Sequence, residues 1–156
     1  MTIEIERKYL VRNDLWKSQV LSKRTLKQGY LANSSNATVR VRVAGDQAFL
    51  TIKSATEEVR RSEFEYPIPV AEAEDMLEGA VIRPVIDKVR YKVKVGDHVW
   101  DLDVFAGDNA GLVLAEVELG SEDEAFELPA WAGAEVSGDP RYYNVNLLRH
   151  PCLLYT

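Results

Sequence analysis

The stretch Ile3-Glu4-Ile5-Glu6-Arg7-Lys8-Tyr9-Leu10-Val11 decides how the rest of the chain is read. Its apolar and charged residues alternate, and a period of two marks a strand in which residues i and i+2 share a face. Ile3, Ile5 and Tyr9 then point one way, and Glu4, Glu6 and Lys8 the other. Similar runs recur at Arg24–Leu31, Thr38–Val43, Ala48–Ser54, Arg61–Ile68, Val85–Val95, His98–Phe105 and Leu112–Leu119, predicting eight strands in all. Turn chemistry separates them at Asn33–Asn36, Gly45–Asp46, Gly96–Asp97 and Gly107–Gly111. Gly45–Asp46 and Gly96–Asp97 are short enough to be hairpin turns, so the sheet is expected to be mainly antiparallel.

Helical signals are few. Val70–Glu78 follows Pro67 and Pro69, places Val70, Ala73 and Leu77 on one face, and stops before Gly79. Ser121 and Glu124 have capping-box spacing for a short helix at Glu122–Glu127. Pro140–Arg149 reads as a last helix, opened by Pro140 and ended by Pro151. The expected fold is α+β: an eight-stranded antiparallel β-barrel, or tunnel, with helices packed outside, as a single domain over 1–156.

The polar faces of the strands are unusual. Arg40 and Arg42 alternate with valines, Lys53 with Leu50 and Ile52, and Glu63 and Glu65 with Phe64 and Tyr66. Lys88 and Arg90 follow, then Asp101 and Asp103, then Glu116 and Glu118, each against apolar neighbours. A solvated face normally mixes uncharged polar residues with its charges, and like charges on one strand face repel. Helices packed outside also need an apolar surface. Both considerations turn the charged faces inward, toward a lumen. Buried charge must be paired, hydrogen-bonded or bound to ions. The complement of such a lumen is a ligand of both signs: a divalent cation for the carboxylates and a phosphate chain for the Arg and Lys groups.

Composition sets limits on other readings. The net charge of −6 gives no global attraction for nucleic acid or an anionic membrane, so any anion is caught locally. The one cysteine, Cys152, and an N-terminus without a signal core point to a reduced, cytoplasmic protein. His98 and His150 stand far apart, leaving no His/Cys cluster for zinc, so a bound metal would have oxygen ligands. Trp16, Trp100 and Trp131 are read as structural.

At the charged residues the chain resembles the CYTH family of triphosphate tunnel metalloenzymes. The hallmark E-x-E-x-K lies at Glu4, Glu6 and Lys8, followed by Gln28-Gly29-Tyr30-Leu31, Arg40-x-Arg42, Lys53, Glu63-x-Glu65, Lys88-x-Arg90, Asp101-x-Asp103 and Glu116-x-Glu118. The length and the closing Asp139-Pro140-Arg141-Tyr142-Tyr143-Asn144 look most like small bacterial members that act as inorganic triphosphatases. Lys92 and Lys94 extend the basic row beyond the usual pair, toward a tunnel mouth.

The resemblance implies that Glu4, Glu6, Asp103, Glu116 and Glu118 hold Mg²⁺ or Mn²⁺. It implies that Lys8, Arg40, Arg42, Lys53, Lys88 and Arg90 grip phosphates, with Tyr30 near the substrate. Glu63 or Glu65 would orient water, and Lys8 would stabilise the leaving phosphate. The expected reaction is metal-dependent hydrolysis of tripolyphosphate to pyrophosphate and phosphate. Rivals within the family are hydrolysis of thiamine or nucleoside triphosphates and cyclisation of ATP. Outside it stand a non-enzymatic polyphosphate-binding module and a carrier barrel whose Val and Ile faces line the inside.

Overall fold

The chain reverses direction at its two short glycine turns. Gly45 and Gly96 have φ of 64° and 57°, a left-handed conformation that glycine adopts without steric cost. Each turn joins strands whose flanking residues pair, Ala44 with Gln47 and Val95 with His98. The computed structural model describes residues 1–55 and 59–143. Within them run β1 (Thr2–Val11), β2 (Val20–Asn33), β3 (Ala37–Ala44), β4 (Gln47–Ser54) and β5 (Arg60–Ile68). The helix α1 (Val70–Gly79) leads to β6 (Ile82–Val95), β7 (His98–Phe105), β8 (Val113–Glu118) and β9 (Ala132–Glu135).

All pairings are antiparallel, in the order β5-β4-β3-β2-β6-β7-β8-β1, and β5 pairs back onto β1. Eight strands therefore close into a barrel, as the alternating runs predict, which leaves no free sheet edge along the closure. The short β9 adds to β1 beyond the closure: Tyr9 pairs with Ala115 of β8 on one side and Glu135 of β9 on the other. Ala132-Gly133-Ala134-Glu135 has no alternation of large apolar residues, so nothing in its pattern announces a strand.

The apolar strand faces point outward, which excludes the carrier reading. Val41 and Ala48 are buried under Ala73 and Leu77 of α1. A larger core forms on the opposite wall, where Trp100, Leu102, Val93 and Val117 pack with Tyr9, Trp16 and Trp131. Trp100 meets Trp131 edge-on at 5.3 Å between ring centroids, and both are structural. Each fully buried aromatic or aliphatic side chain in these layers contributes roughly 1.5–3 kcal/mol.

Two helix expectations change. Glu122–Glu127 is not a helix. The Glu124 carboxylate accepts hydrogen bonds from Gly120 N at 2.7 Å and contacts His98 Nε2 at 2.6 Å, fixing a single turn. The chain then runs extended so that Phe126 packs against Trp100 and Tyr9. Of Pro140–Arg149, Pro140–Tyr142 forms a 3-10 turn capped by Asp139, and 144–149 lie outside the described residues. Short 3-10 turns also occur at Leu15–Gln19 and Gly107–Asn109, leaving α1 as the one α-helix among the described residues. None of these helices is long and apolar enough to cross a membrane.

Candidate active site

Over half of the barrel wall the inward side changes from charged to apolar along each strand. β1 presents Glu4, Glu6 and Lys8, then Leu10. Its partner β8 sets Glu118 opposite Glu6 and Glu116 opposite Lys8, then Leu114 opposite Leu10. β7 and β6 follow suit with Asp101, Asp103 and Phe105 beside Lys92, Arg90, Lys88 and Ile86. Ile86, Phe105 and Leu114 join Tyr30, Leu112 and Val136 in an apolar cluster, with Tyr142 and Tyr143 against it. This cluster floors the ionic part of the lumen.

Next to it lies a cavity of about 500 Å³. Glu4, Glu6, Glu63, Glu65, Glu116 and Glu118 line it together with Lys8, Arg40, Arg42, Lys53, Arg90 and Tyr30. Asp101 of β7 also lines it, so all eight barrel strands contribute residues to this cavity. A second cavity of about 430 Å³ adjoins it, shares Arg42, Glu65, Arg90 and Lys92, and is completed by Ser22, Lys23, Arg24, Leu26, Ala44 and Phe49.

Lys88 and Asp103 are the exceptions, since the structure places neither on a cavity wall. Lys88 Nζ lies 2.7 Å from Asp103 Oδ2, and the two side chains are 0% and 3% exposed. Asp103 also takes a bidentate fork from Arg90, Nε to Oδ1 at 2.8 Å and Nη2 to Oδ2 at 2.9 Å. Burial alone would raise the Asp103 pKa, but Lys88 and Arg90 overcome it and hold the carboxyl well below its ordinary range. Burial pushes Lys88 down to about 7, aided by Arg90 and Arg42 and only partly opposed by Asp103 and Glu116.

The remaining cations fall into two kinds. Lys8 and Lys53 are paired: Lys8 Nζ lies 3.4 Å from Glu116, and Lys53 Nζ lies 3.0 Å from Glu4 and 3.3 Å from Glu63. Lys8 also donates to the Tyr142 carbonyl at 3.3 Å and stands 5.9 Å from the centre of the Tyr143 ring. Burial lowers its pKa, yet Glu116 and Glu6 more than compensate, so Lys8 stays protonated. Arg40 and Arg42 are under-paired. Arg42 donates to Gln28 Oε1 at 2.8 Å and makes no ion pair among the described residues. Burial, with Arg40 and Arg90 close by, pushes it down to about 9. Arg40 reaches Thr51 at 3.3 Å and Glu65 at 3.9 Å, while its Nε and the Nε2 of Gln28 are buried without a hydrogen-bond partner. Buried orphan donors are costly unless an acceptor completes them, and an anion in the cavity would do so.

The carboxylates crowd at the junction of β1 and β8. Burial, then Glu116 and Glu4, push Glu6 up to about 8. Glu118 is raised by burial and by Glu4 and Glu63. Hard oxygen donors whose mutual repulsion a cation would relieve suit Mg²⁺ or Mn²⁺ in chemistry. Among the described residues no three Asp, Glu, His or Cys side chains are already gathered as a ligand set.

Strand alternation missed some of the wall. Arg61 reaches Glu4 and Glu6 from β5, and Ser34, Ser137 and Tyr143 come from loops and turns with no strand period. Arg61 has the same parity as Glu63 and Glu65, so the pattern that exposed those two contained it as well.

A CYTH domain profile matches residues 2–143. The chain belongs to the CYTH family. A CYTH relative from Acetivibrio thermocellus, named inorganic triphosphatase, is 46% identical over 149 residues, covering 95% of this chain and 94% of its own. One from Nitrosomonas europaea, with the same name, is 41% identical and covers 90% and 93% of the two chains. The crystal structure of an inorganic triphosphatase superposes with a TM-score of 0.68 at 40% identity, covering 95% of each chain. A conserved hypothetical protein from Pyrococcus furiosus has a similar fold at a TM-score of 0.61 and 17% identity, covering 77% of this chain and 80% of its own.

Proposed function

We propose that this CYTH protein is a metal-dependent inorganic triphosphatase that hydrolyses tripolyphosphate to pyrophosphate and phosphate, with 1–156 acting as one domain. The observation that carries the reading is the under-paired arginine pair. Arg40 and Arg42 face a charged cavity with orphan donors around them, in a chain nearly half identical to a protein named for this activity.

The reaction joins a water oxygen to a terminal phosphorus and breaks a P–O–P bridge, with the bridging oxygen leaving on pyrophosphate. Arg40, Arg42 and Arg90 would hold the phosphate oxygens in line, Arg by bidentate forks in a site that excludes much of the solvent. Lys8, kept protonated by Glu116 and Glu6, would neutralise charge on the leaving group. Glu63 is tied to Lys53 and would orient the attacking water. Glu4, Glu6, Glu116 and Glu118 would hold Mg²⁺ or Mn²⁺, which neutralises phosphate charge when bound. We assign Asp103 and Lys88 a different role from the one the motif implies: they lie behind the wall and aim Arg90. Tyr30, buried on the lumen side, bounds the substrate space.

The test is phosphate release from tripolyphosphate with Mg²⁺ or Mn²⁺, beside thiamine triphosphate and ATP, for wild type and Glu6→Gln. Tripolyphosphate should give the highest kcat/KM, and the substitution should cost most of it. Inactivity toward every triphosphate with either metal would overturn the enzyme reading.

A further inference from the structure

Arg61 sits directly opposite Glu4 in the register of β5 on β1. Its Nε donates to Glu4 Oε2 at 3.0 Å, and its Nη2 lies 3.8 Å from Glu6 Oε1. The side chain is 25% exposed and borders the cavity, so it is free to leave along a wet face. Lys53 holds the same Glu4 carboxylate, its Nζ 3.0 Å from Oε2 and 3.1 Å from Oε1. Glu4 is thereby drawn toward two cations, and Glu6 lies within reach of the same guanidinium, so the carboxylates crowd without converging.

Two cations cannot use one oxygen lone pair. On the reading of Glu4 and Glu6 as metal ligands, on which this inference rests, the guanidinium occupies a ligand position. We propose that Arg61 is a resident counter-cation that competes with the divalent metal for Glu4 and Glu6, and that once displaced it turns to the phosphates. Charge supports the second half. A metal ion on Glu4 and Glu6 leaves Arg61 without its two carboxylates, and the anion that enters with the metal is the next partner within a mobile arginine's reach. Metal and polyphosphate binding are then coupled through one side chain, each favouring the other.

Mn²⁺ binding followed by electron paramagnetic resonance, without and with pyrophosphate, tests this without turnover. Arg61→Gln should bind Mn²⁺ about tenfold more tightly in the absence of pyrophosphate, since a charge-assisted pair no longer has to break. Added pyrophosphate should tighten Mn²⁺ binding less in the variant than in the wild type. Arg61→Lys, which keeps the charge without the fork, should fall between them. Lys27→Gln removes an exposed charge outside the cavity and should match the wild type. Unchanged or weaker Mn²⁺ binding by Arg61→Gln, or the same tenfold gain over the wild type in Lys27→Gln, overturns the competition. If that happens while the wild type binds Mn²⁺ and releases phosphate, the triphosphatase reading stands. If the wild type does neither, that reading falls and this inference falls with it.

Discussion

Asp103 bridges Lys88 and Arg90, receiving Lys88 Nζ at 2.7 Å on one side and the Arg90 fork at 2.8 and 2.9 Å on the other. One buried carboxylate thus fixes a cation that lines the cavity and a cation that does not. Removing it strips both cations of their shared counter-ion. Asp103→Asn is expected to destabilise the fold by about 3–5 kcal/mol and to raise KM for tripolyphosphate through a loosened Arg90. Urea unfolding and steady-state kinetics check the two effects; an unchanged unfolding midpoint removes the bridging role.

Lys88 makes stability depend on pH in an unusual direction. Its folded-state pKa is depressed to about 7, whereas an unfolded lysine titrates near its ordinary value of 10.5. Between these values the unfolded chain binds a proton that the folded chain lacks, so Lys88 makes stability rise with pH, by up to about 1.4 kcal/mol per unit. Below pH 7 both states carry the charge and the slope vanishes. Wild type minus Lys88→Met, measured by urea unfolding at pH 6, 7, 8 and 9, should be flat at first and then climb. A difference that is constant throughout contradicts the depressed pKa.

Arg42 should trade stability for substrate. It is half-buried, has Gln28 as its hydrogen-bond partner, and lies near Arg40 and Arg90. Arg42→Met removes a half-buried cation with no ion-pair partner among the described residues, so the ligand-free protein should melt higher. The same change removes a phosphate fork and should lower kcat/KM for tripolyphosphate by about 100-fold, or roughly 2.7 kcal/mol. Arg42→Lys should recover part of it. Equal Tm and equal kcat/KM would place Arg42 outside the site.

Glu63 and Glu65 share a strand face but not an environment. Glu63 is tied to Lys53 at 3.3 Å with its side chain 21% exposed, whereas Glu65 is 42% exposed and accepts from Thr51 at 3.1 Å. Glu63→Gln is therefore expected to lower kcat by more than Glu65→Gln, about 100-fold against less than 10-fold. The reverse order in single-turnover rates would move the water-orienting role to Glu65.

The alternating runs carried most of this architecture because period two leaves each strand little choice. In β3, Val39, Val41 and Val43 must go to the apolar side, so Arg40 and Arg42 go to the other, and the barrel follows from repeating that rule. The turns at Gly45 and Gly96 were equally legible, since glycine supplies the backbone conformation a two-residue reversal needs. The helix expected at Glu122–Glu127 was not, because the pattern could not show that Glu124 would spend its carboxylate on Gly120 and His98. β9 was silent for a different reason: it is held by backbone pairing to β1, and its small residues leave no trace of a buried face.

Local sequence thus determined which face of each strand carries charge, and with it the barrel, the sign of its lumen and the family to which it belongs. Tertiary structure decided depth. Lys88 and Arg90 have the same parity, and so do Asp101 and Asp103, yet one member of each pair lines the cavity and the other lies behind it. Parity is a property of a single strand, set by the geometry of the peptide chain. Height along the barrel axis depends on register between strands, such as Lys8 against Glu116 and Glu4 against Arg61. Those registers join residues far apart in the chain, and only the closed sheet brings them to one level.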